Sequence, residues 1–156
     1  MGLEVTSEAF AAGAAIPAVH TCDGADRAPP LAWTGVPEGT RSLALIVDDP
    51  DAPDPAAPRR VFVHWVLYDL PPDAPGLPEA VAHPPAGARE GTNDWGRTGY
   101  GGPCPPVGRH RYFFKVYALD TVLGDLGRPT PARLLTVMEG HVVASAELRG
   151  TSRRGG

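Results

Sequence analysis

A short acidic run, Asp48-Asp49-Pro50-Asp51-Ala52-Pro53, directly follows an apolar stretch, and His64 comes soon after it. Carboxylates and imidazoles are the groups that proteins use for proton transfer and for binding charged ligands. Carboxylates this close together repel one another unless they are hydrated, hydrogen-bonded or paired with cations. An Asp-Pro run alone predicts a turn, and one histidine alone on an apolar strand predicts a structural residue. Their proximity in the chain indicates a polar site.

A second group of side chains lies in a segment rich in glycine and proline, and it comprises Tyr100, Cys104, Pro105, His110 and Tyr112. Glycines let backbone N–H groups approach a ligand, and prolines reduce the entropy lost when a loop becomes ordered. Histidine and tyrosine supply donors suited to phosphate or carboxylate oxygens. We therefore expect His110, Tyr112 and the N–H groups of residues 101–104 to bind an anion.

The acidic residues need a different role, because Asp49 and Asp51 cannot attract an anion. We expect them to orient His64 or His110, to hold loop N–H groups, or to accept an ammonium such as that of an ethanolamine head group.

The elements that must position these residues are mostly strands. The pattern predicts three strong ones, at Ser42–Asp48, Val61–Leu70 and Arg111–Leu119. The first is apolar throughout, which predicts burial on both faces. Period-two geometry places Phe62, His64, Val66 and Tyr68 on one face of the second, and His110 with Tyr112, Phe114, Val116 and Ala118 on one face of the third.

The other segments are shorter or irregular. Leu3–Ser7 and the stretch after Pro30 predict strands, and 142–148 predicts a strand or a helical continuation. Asp49 to Pro58 contains four prolines and predicts an irregular segment, as does the long connection 73–109. Thr130-Pro131 predicts the start of a helix with Leu134, Leu135 and Met138 on its apolar side and Gly140 at its end.

Composition limits the classes of protein to consider. The chain has 156 residues, with 19 glycines and 19 prolines, which predicts one mainly β domain over 1–156 built as a two-sheet antiparallel β-sandwich with one or two short helices. A net charge of −4 argues against nucleic-acid binding. No secretory signal or membrane span is visible, so the expected location is cytoplasmic, and there Cys22 and Cys104 are expected to be thiols.

In combination, the Asp-Pro-Asp-Ala-Pro run, His64-Trp65 and Pro105-Pro106 with His110-Arg111-Tyr112 resemble the signature segments of the phosphatidylethanolamine-binding protein family. The segments Thr21-Cys22-Asp23-Gly24 and Gly101–Pro106 are similar to its bacterial and archaeal, Raf kinase inhibitor-like branch. The resemblance covers the chain from about Phe10 to Arg153.

The resemblance implies a preformed pocket for phosphate-like anions and phospholipid head groups such as phosphoethanolamine, with no cofactor. Carried over by motif position, its lining would be Asp49, Asp51, His64, Pro105, His110 and Tyr112, with Trp65 and Tyr100 packed beside it. Cys104 stands where the eukaryotic branch has glycine, so that contact is expected to differ. The family name also suggests inhibition of a kinase or protease partner.

Three alternatives stay open from the residues. A hydrolase could use Cys104 with His110, or the Asp and His residues, although no Gly-x-Ser-x-Gly motif is present. A metal site could use His20, Cys22, His64, Cys104 or His110, although no spacing supports it. An exposed apolar patch would make the protein a homodimer.

Overall fold

The computed structural model describes residues 2–81 and 84–154, which form strands, one α-helix and a 3₁₀ turn at Ala18–His20. The strands are β1 (Glu4–Thr6), β2 (Leu31–Thr34), β3 (Ser42–Ala52), β4 (Arg60–Leu70), β5 (Gly76–Leu77), β6 (Arg89–Glu90), β7 (Arg109–Leu119) and β8 (Val142–Arg153). The helix, α1, spans Pro131–Met138. This confirms the prediction of a mainly β protein.

Two antiparallel sheets build the fold. The smaller has the order β1-β2-β5, and the larger has the order β6-β4-β3-β7-β8. The first core cluster contains Val5 and Trp33 of the smaller sheet together with Leu45 and Phe114 of the larger one. The predicted two-sheet sandwich is therefore confirmed, and its core lies between the sheets.

The central strand β3 is buried on both faces, as its apolar run predicts. Leu43, Leu45 and Val47 belong to the core between the sheets, whereas Ala44 and Ile46 belong to a second cluster beneath α1. Alternation along a strand separates the two sets, so both faces of β3 exclude water.

The prediction that the chain becomes irregular at Asp49 is wrong for residues 49–52, because β3 continues to Ala52. Its pairing with β4 passes from Asp49 opposite Phe62 to Ala52 opposite Arg60, with an irregular register between them. A proline tolerated at such an irregularity does not end the strand. The sheet thus carries both Asp49 and Asp51.

Two other predictions change at the ends of elements. The segment after residue 141 is the strand β8, which continues beyond Leu148 to Arg153. The cap of α1 is as predicted, since the Thr130 side chain accepts a hydrogen bond from Arg133 N–H. Leu134 and Met138 are buried on α1, but Leu135 is 44% exposed and does not share their face.

The prediction that the two cysteines are thiols is wrong, because Cys22 and Cys104 form a disulfide with a Cα–Cα distance of 5.4 Å. The Cys22 N–H also donates to Pro103 O at 3.1 Å, so the two segments lie side by side. Spacing along the chain could not show this, because 82 residues separate the cysteines. Disulfides persist mainly in oxidising compartments, so the bridge gives no support to the cytoplasmic expectation.

No helix in the two described ranges has the length and apolar character needed to cross a bilayer.

Reducing the disulfide should lower the free energy of unfolding by roughly 2–5 kcal/mol, because the bridge closes a long loop in the unfolded chain. Denaturant unfolding with and without a dithiol reductant measures this change. A double variant, Cys22→Ser with Cys104→Ser, is the control and should be insensitive to the reductant. Equal stability of the oxidised and reduced wild-type proteins would contradict the prediction.

Candidate functional site

A β-bulge in β4 sets the direction of His64. The partners of β4 on β3 pass from Val47 opposite Trp65 to Asp48 opposite Val63, which leaves His64 as the extra residue. A bulge interrupts the alternation of side chains. The prediction that Phe62, His64, Val66 and Tyr68 share one face is therefore wrong: Phe62 and His64 face a cavity, whereas Val66 and Tyr68 pack in the cluster beneath α1.

The cavity has a volume of about 560 Å³ and lies where β3, β4 and β7 meet the loop 95–106. Six of the predicted residues line it: Asp49, His64, Cys104, Pro105, His110 and Tyr112. The sequence prediction missed the remaining lining residues, which are Ala52, Pro53, Arg59, Arg60, Phe62, Trp95 and Pro106. Arg59 and Arg60 lie just before a strong strand, which could have indicated them. Trp95 lies in the long connection 73–109, where an aromatic residue favours a packed functional loop, but it was not assigned to the lining.

Each carboxylate of the acidic run pairs with a cation on the neighbouring strand β7. Asp48 contacts Lys115 at 2.8 Å, Asp49 contacts His110 at 2.6 Å, and Asp51 contacts Arg111 at 2.9 Å. Pairing with cations is one of the conditions that a run of carboxylates requires.

The Asp48–Lys115 and Asp51–Arg111 pairs differ in how their surroundings shift the pKa of the carboxyl group. Burial raises the pKa of Asp48 even though Lys115 opposes the change. For Asp51, the hydrogen bonds from Arg111 outweigh burial and lower the pKa of the carboxyl. Asp51 therefore stays ionised, and the Arg111 guanidinium compensates its charge.

His110 is fully buried, and both of its ring nitrogens are engaged. Nδ1 lies 2.6 Å from Asp49 Oδ2, and Nε2 lies 2.8 Å from Val107 O. Both partners are acceptors, so each ring nitrogen faces a protein oxygen. His110 thus lines the cavity but has no donor left for a ligand, and its observed role is to hold Asp49 and the Val107 turn.

Asp51 and Tyr100 lie outside the cavity lining. Asp51 accepts from the backbone N–H, Nε and Nη2 of Arg111 at 2.8–3.0 Å. The Tyr100 hydroxyl donates to His20 O at 2.7 Å, and its ring packs edge-on against Trp65 as predicted. Burial raises the pKa of Tyr100, so its hydroxyl keeps its proton.

His64 and Tyr112 form the inner end of the cavity, with ring centroids 5.3 Å apart. Nδ1 of His64 lies 2.8 Å from Gly101 O and donates to it. Burial lowers the pKa of His64 below its ordinary value of 6.5, so the neutral ring keeps Nε2 as an acceptor. Burial, followed by the charge of the nearby Asp49 carboxylate and the hydrogen bond that this carboxylate accepts from Tyr112, raises the pKa of Tyr112, which therefore keeps its O–H proton.

Two of the loop N–H groups that were expected to bind an anion, those of Gly101 and Gly102, are engaged within the protein. Gly101 N–H donates to His64 O at 3.2 Å, and Gly102 N–H donates to Asp26 Oδ1 at 2.9 Å. A Cβ on Gly101 would lie 2.2 Å from the Trp95 ring. These glycines therefore allow the loop to pack closely, and their N–H groups donate to His64 O and to Asp26.

The Cys104–His110 nucleophile pair is ruled out in this structure, because the Cys104 sulfur is in the disulfide and both His110 nitrogens are bonded. The alternative of a metal site also loses Cys22 and Cys104 as thiolate ligands. Over residues 2–81 and 84–154, no group of three His, Cys, Asp or Glu side chains could hold a metal ion.

Replacing Asp49 by asparagine should lower the free energy of unfolding by about 3 kcal/mol or more, because it removes the carboxylate that pairs with Nδ1 of the fully buried His110. The matched control is Asp51→Asn, whose partner Arg111 is 50% exposed and can be solvated, so that change should cost about 1 kcal/mol. Denaturant unfolding measures both changes. Equal losses in the two variants would show that burial of the Asp49–His110 pair is not what distinguishes it.

Comparison with known proteins shows the family of this chain. A family model described as phosphatidylethanolamine-binding protein matches residues 6–153. A protein named UPF0098 from Methanothermobacter thermautotrophicus is 48% identical, and the match covers 98% of this chain and all of that protein.

Two solved structures have the same fold. A phosphatidylethanolamine-binding protein homologue of Chlamydia trachomatis, CT736, has a TM-score of 0.91 at 42% identity, with 98% of each chain covered. YbcL of Escherichia coli has a TM-score of 0.88 at 33% identity, covering 98% of this chain and 99% of that one. Together with the sequence match, these findings show that the chain belongs to the phosphatidylethanolamine-binding protein family.

Proposed function

We propose that the cavity binds a small phosphate-like anion, either free or as the head group of a phospholipid. The observation that carries this proposal is the pairing of Asp49 Oδ2 with His110 Nδ1, 2.6 Å apart, at the inner end of the cavity. Without that pair, a buried carboxylate would repel any anion that approached Tyr112. With it, Tyr112 offers a hydroxyl donor and His64 offers a nitrogen that becomes a donor when protonated.

The shape of the cavity fits a binding role. Phe62, Trp95 and the prolines provide apolar walls around a few polar groups, which is the usual composition of a small-molecule site. The disulfide and the packed glycines hold one wall in place. A preformed wall reduces the entropy that ligand binding must overcome.

We favour binding over catalysis because the groups that could act on a substrate are already engaged. His110 uses both nitrogens for protein acceptors, and Cys104 is oxidised. His64 keeps an acceptor nitrogen, but among the described residues no serine, threonine or cysteine nucleophile lines the cavity beside it.

Replacing Tyr112 by phenylalanine should weaken inorganic phosphate binding roughly tenfold, because it removes a hydrogen bond to a charged ligand. Isothermal titration calorimetry measures the affinity. The matched control is Tyr117→Phe on the same strand, since Tyr117 packs at the cluster beneath α1 and does not line the cavity. Equal phosphate affinity in wild type and Tyr112→Phe would remove this residue from the site.

Sulfate affinity should rise as the pH falls from about 8 to about 5. Sulfate keeps its charge over this range, whereas His64 is neutral near neutral pH because its pKa is lowered, and a bound anion favours its protonated form. Calorimetric titrations at several pH values measure the slope. His64→Gln keeps a group that can donate to Gly101 O but cannot titrate, so its slope should be flatter. The same slope in both proteins would assign the pH dependence to another group.

A further inference from the structure

Every carboxylate oxygen of Asp49 and Asp51 already accepts a hydrogen bond from the protein. Asp49 accepts from His110 through Oδ2 and from Asp51 N–H through Oδ1, at 2.6 and 2.7 Å. Asp51 is occupied by Arg111 through both oxygens. The expectation that either aspartate accepts an ethanolamine ammonium therefore meets carboxylates that are already hydrogen-bonded.

Asp94, near the cavity mouth, is engaged through one of its two oxygens. Its Oδ2 accepts from Val63 N–H at 2.7 Å and contacts Arg60 Nη2 at 3.1 Å. The Arg60 guanidinium also lies over the Phe62 ring, 5.0 Å from its centroid. Arg60 and Asp94 thus compensate each other, and Arg60 serves as part of the wall.

Arg59 is the exception among the charged residues of the lining. Its guanidinium is exposed, and within the described ranges it has no ion pair or side-chain hydrogen bond. Its position is nevertheless defined, because its backbone N–H donates to Ala52 O at 2.8 Å where the ends of β3 and β4 pair. The mouth of the cavity therefore carries one uncompensated charge, and it is positive.

We propose that Arg59 is a specificity-determining residue and that the ligand is a phosphate carrying a second anionic group, a carboxylate. This inference rests on the proposed function: the phosphate occupies the inner end beside Tyr112 and His64, and the carboxylate reaches Arg59 at the mouth. A guanidinium pairs with a carboxylate through two parallel hydrogen bonds, and it repels an ammonium. The ligand is a free phosphorylated carboxylate or a phospholipid head group of the serine type.

Three small phosphates that differ in the charge of their tail test this inference: phosphoglycolate, ethyl phosphate and phosphoethanolamine. Phosphoglycolate should bind about three- to fivefold more tightly than ethyl phosphate, as expected for a partly exposed ion pair. Phosphoethanolamine should bind more weakly than ethyl phosphate, because its ammonium faces the Arg59 guanidinium. Calorimetric titration of the whole chain at neutral pH gives the three affinities.

Variants of Arg59 assign the preference to this residue. Arg59→Gln should bring the affinities for phosphoglycolate and ethyl phosphate together, and Arg59→Lys should retain most of the difference because it keeps the charge. The matched control is Arg41→Gln, an exposed arginine at the other end of β3, which should leave the order unchanged. An unchanged phosphoglycolate preference in Arg59→Gln would overturn the assignment of Arg59.

The outcomes separate this inference from the proposed function. If all three phosphates bind equally well, or phosphoethanolamine binds best, the inference fails while the anion site stands. If none of the three binds, and inorganic phosphate does not bind either, both the inference and the proposed function are wrong.

Vesicles distinguish the two sources of such a ligand. Phosphatidylcholine vesicles containing phosphatidylserine or phosphatidylethanolamine are compared by co-sedimentation with wild type and Arg59→Gln. Retention by phosphatidylserine that is lost in Arg59→Gln supports a lipid head group. Phosphoglycolate binding without vesicle retention supports a free ligand. Stronger retention by phosphatidylethanolamine overturns the inference.

Discussion

The buried pair between Asp49 and His110 is the interaction on which the site depends. It joins the central strands β3 and β7 at the level where the cavity begins, and both side chains are almost completely buried. A buried charge is tolerated only when it is paired and its remaining hydrogen-bonding atoms are satisfied. Asp51 N–H and Val107 O satisfy them here. The pair therefore also fixes the two turns at the cavity edge.

The same pair decides the chemistry of the cavity. Both nitrogens of His110 bond to protein oxygens, so this ring lines the cavity with no donor left for a ligand. At the cavity mouth, Asp94 compensates the charge of Arg60, whereas Arg59 has no ion-pair partner among the described residues. The selectivity of such a site comes from which charges remain unpaired, and the number of charged residues is a poor guide to it.

The opposite wall depends on close packing and a covalent bond. The Gly101 backbone lies against the Trp95 ring, and Cys104 is joined to Cys22. The bulge at His64 turns its ring toward this wall, where Nδ1 meets Gly101 O. A strand irregularity and a tight loop thus create one preformed cavity from segments distant in the chain.

The sequence by itself determined the strong strands, the capped helix, the two-sheet sandwich and six residues of the cavity lining, because apolar periodicity and signature motifs are local signals. Tertiary structure alone decided what those residues do. Which acceptor His110 meets, whether Asp51 or Arg59 keeps a free charge, and whether Cys22 reaches Cys104 all depend on residues far apart in the chain. One bulge, invisible in the sequence pattern, was enough to change the face on which Val66 and Tyr68 lie.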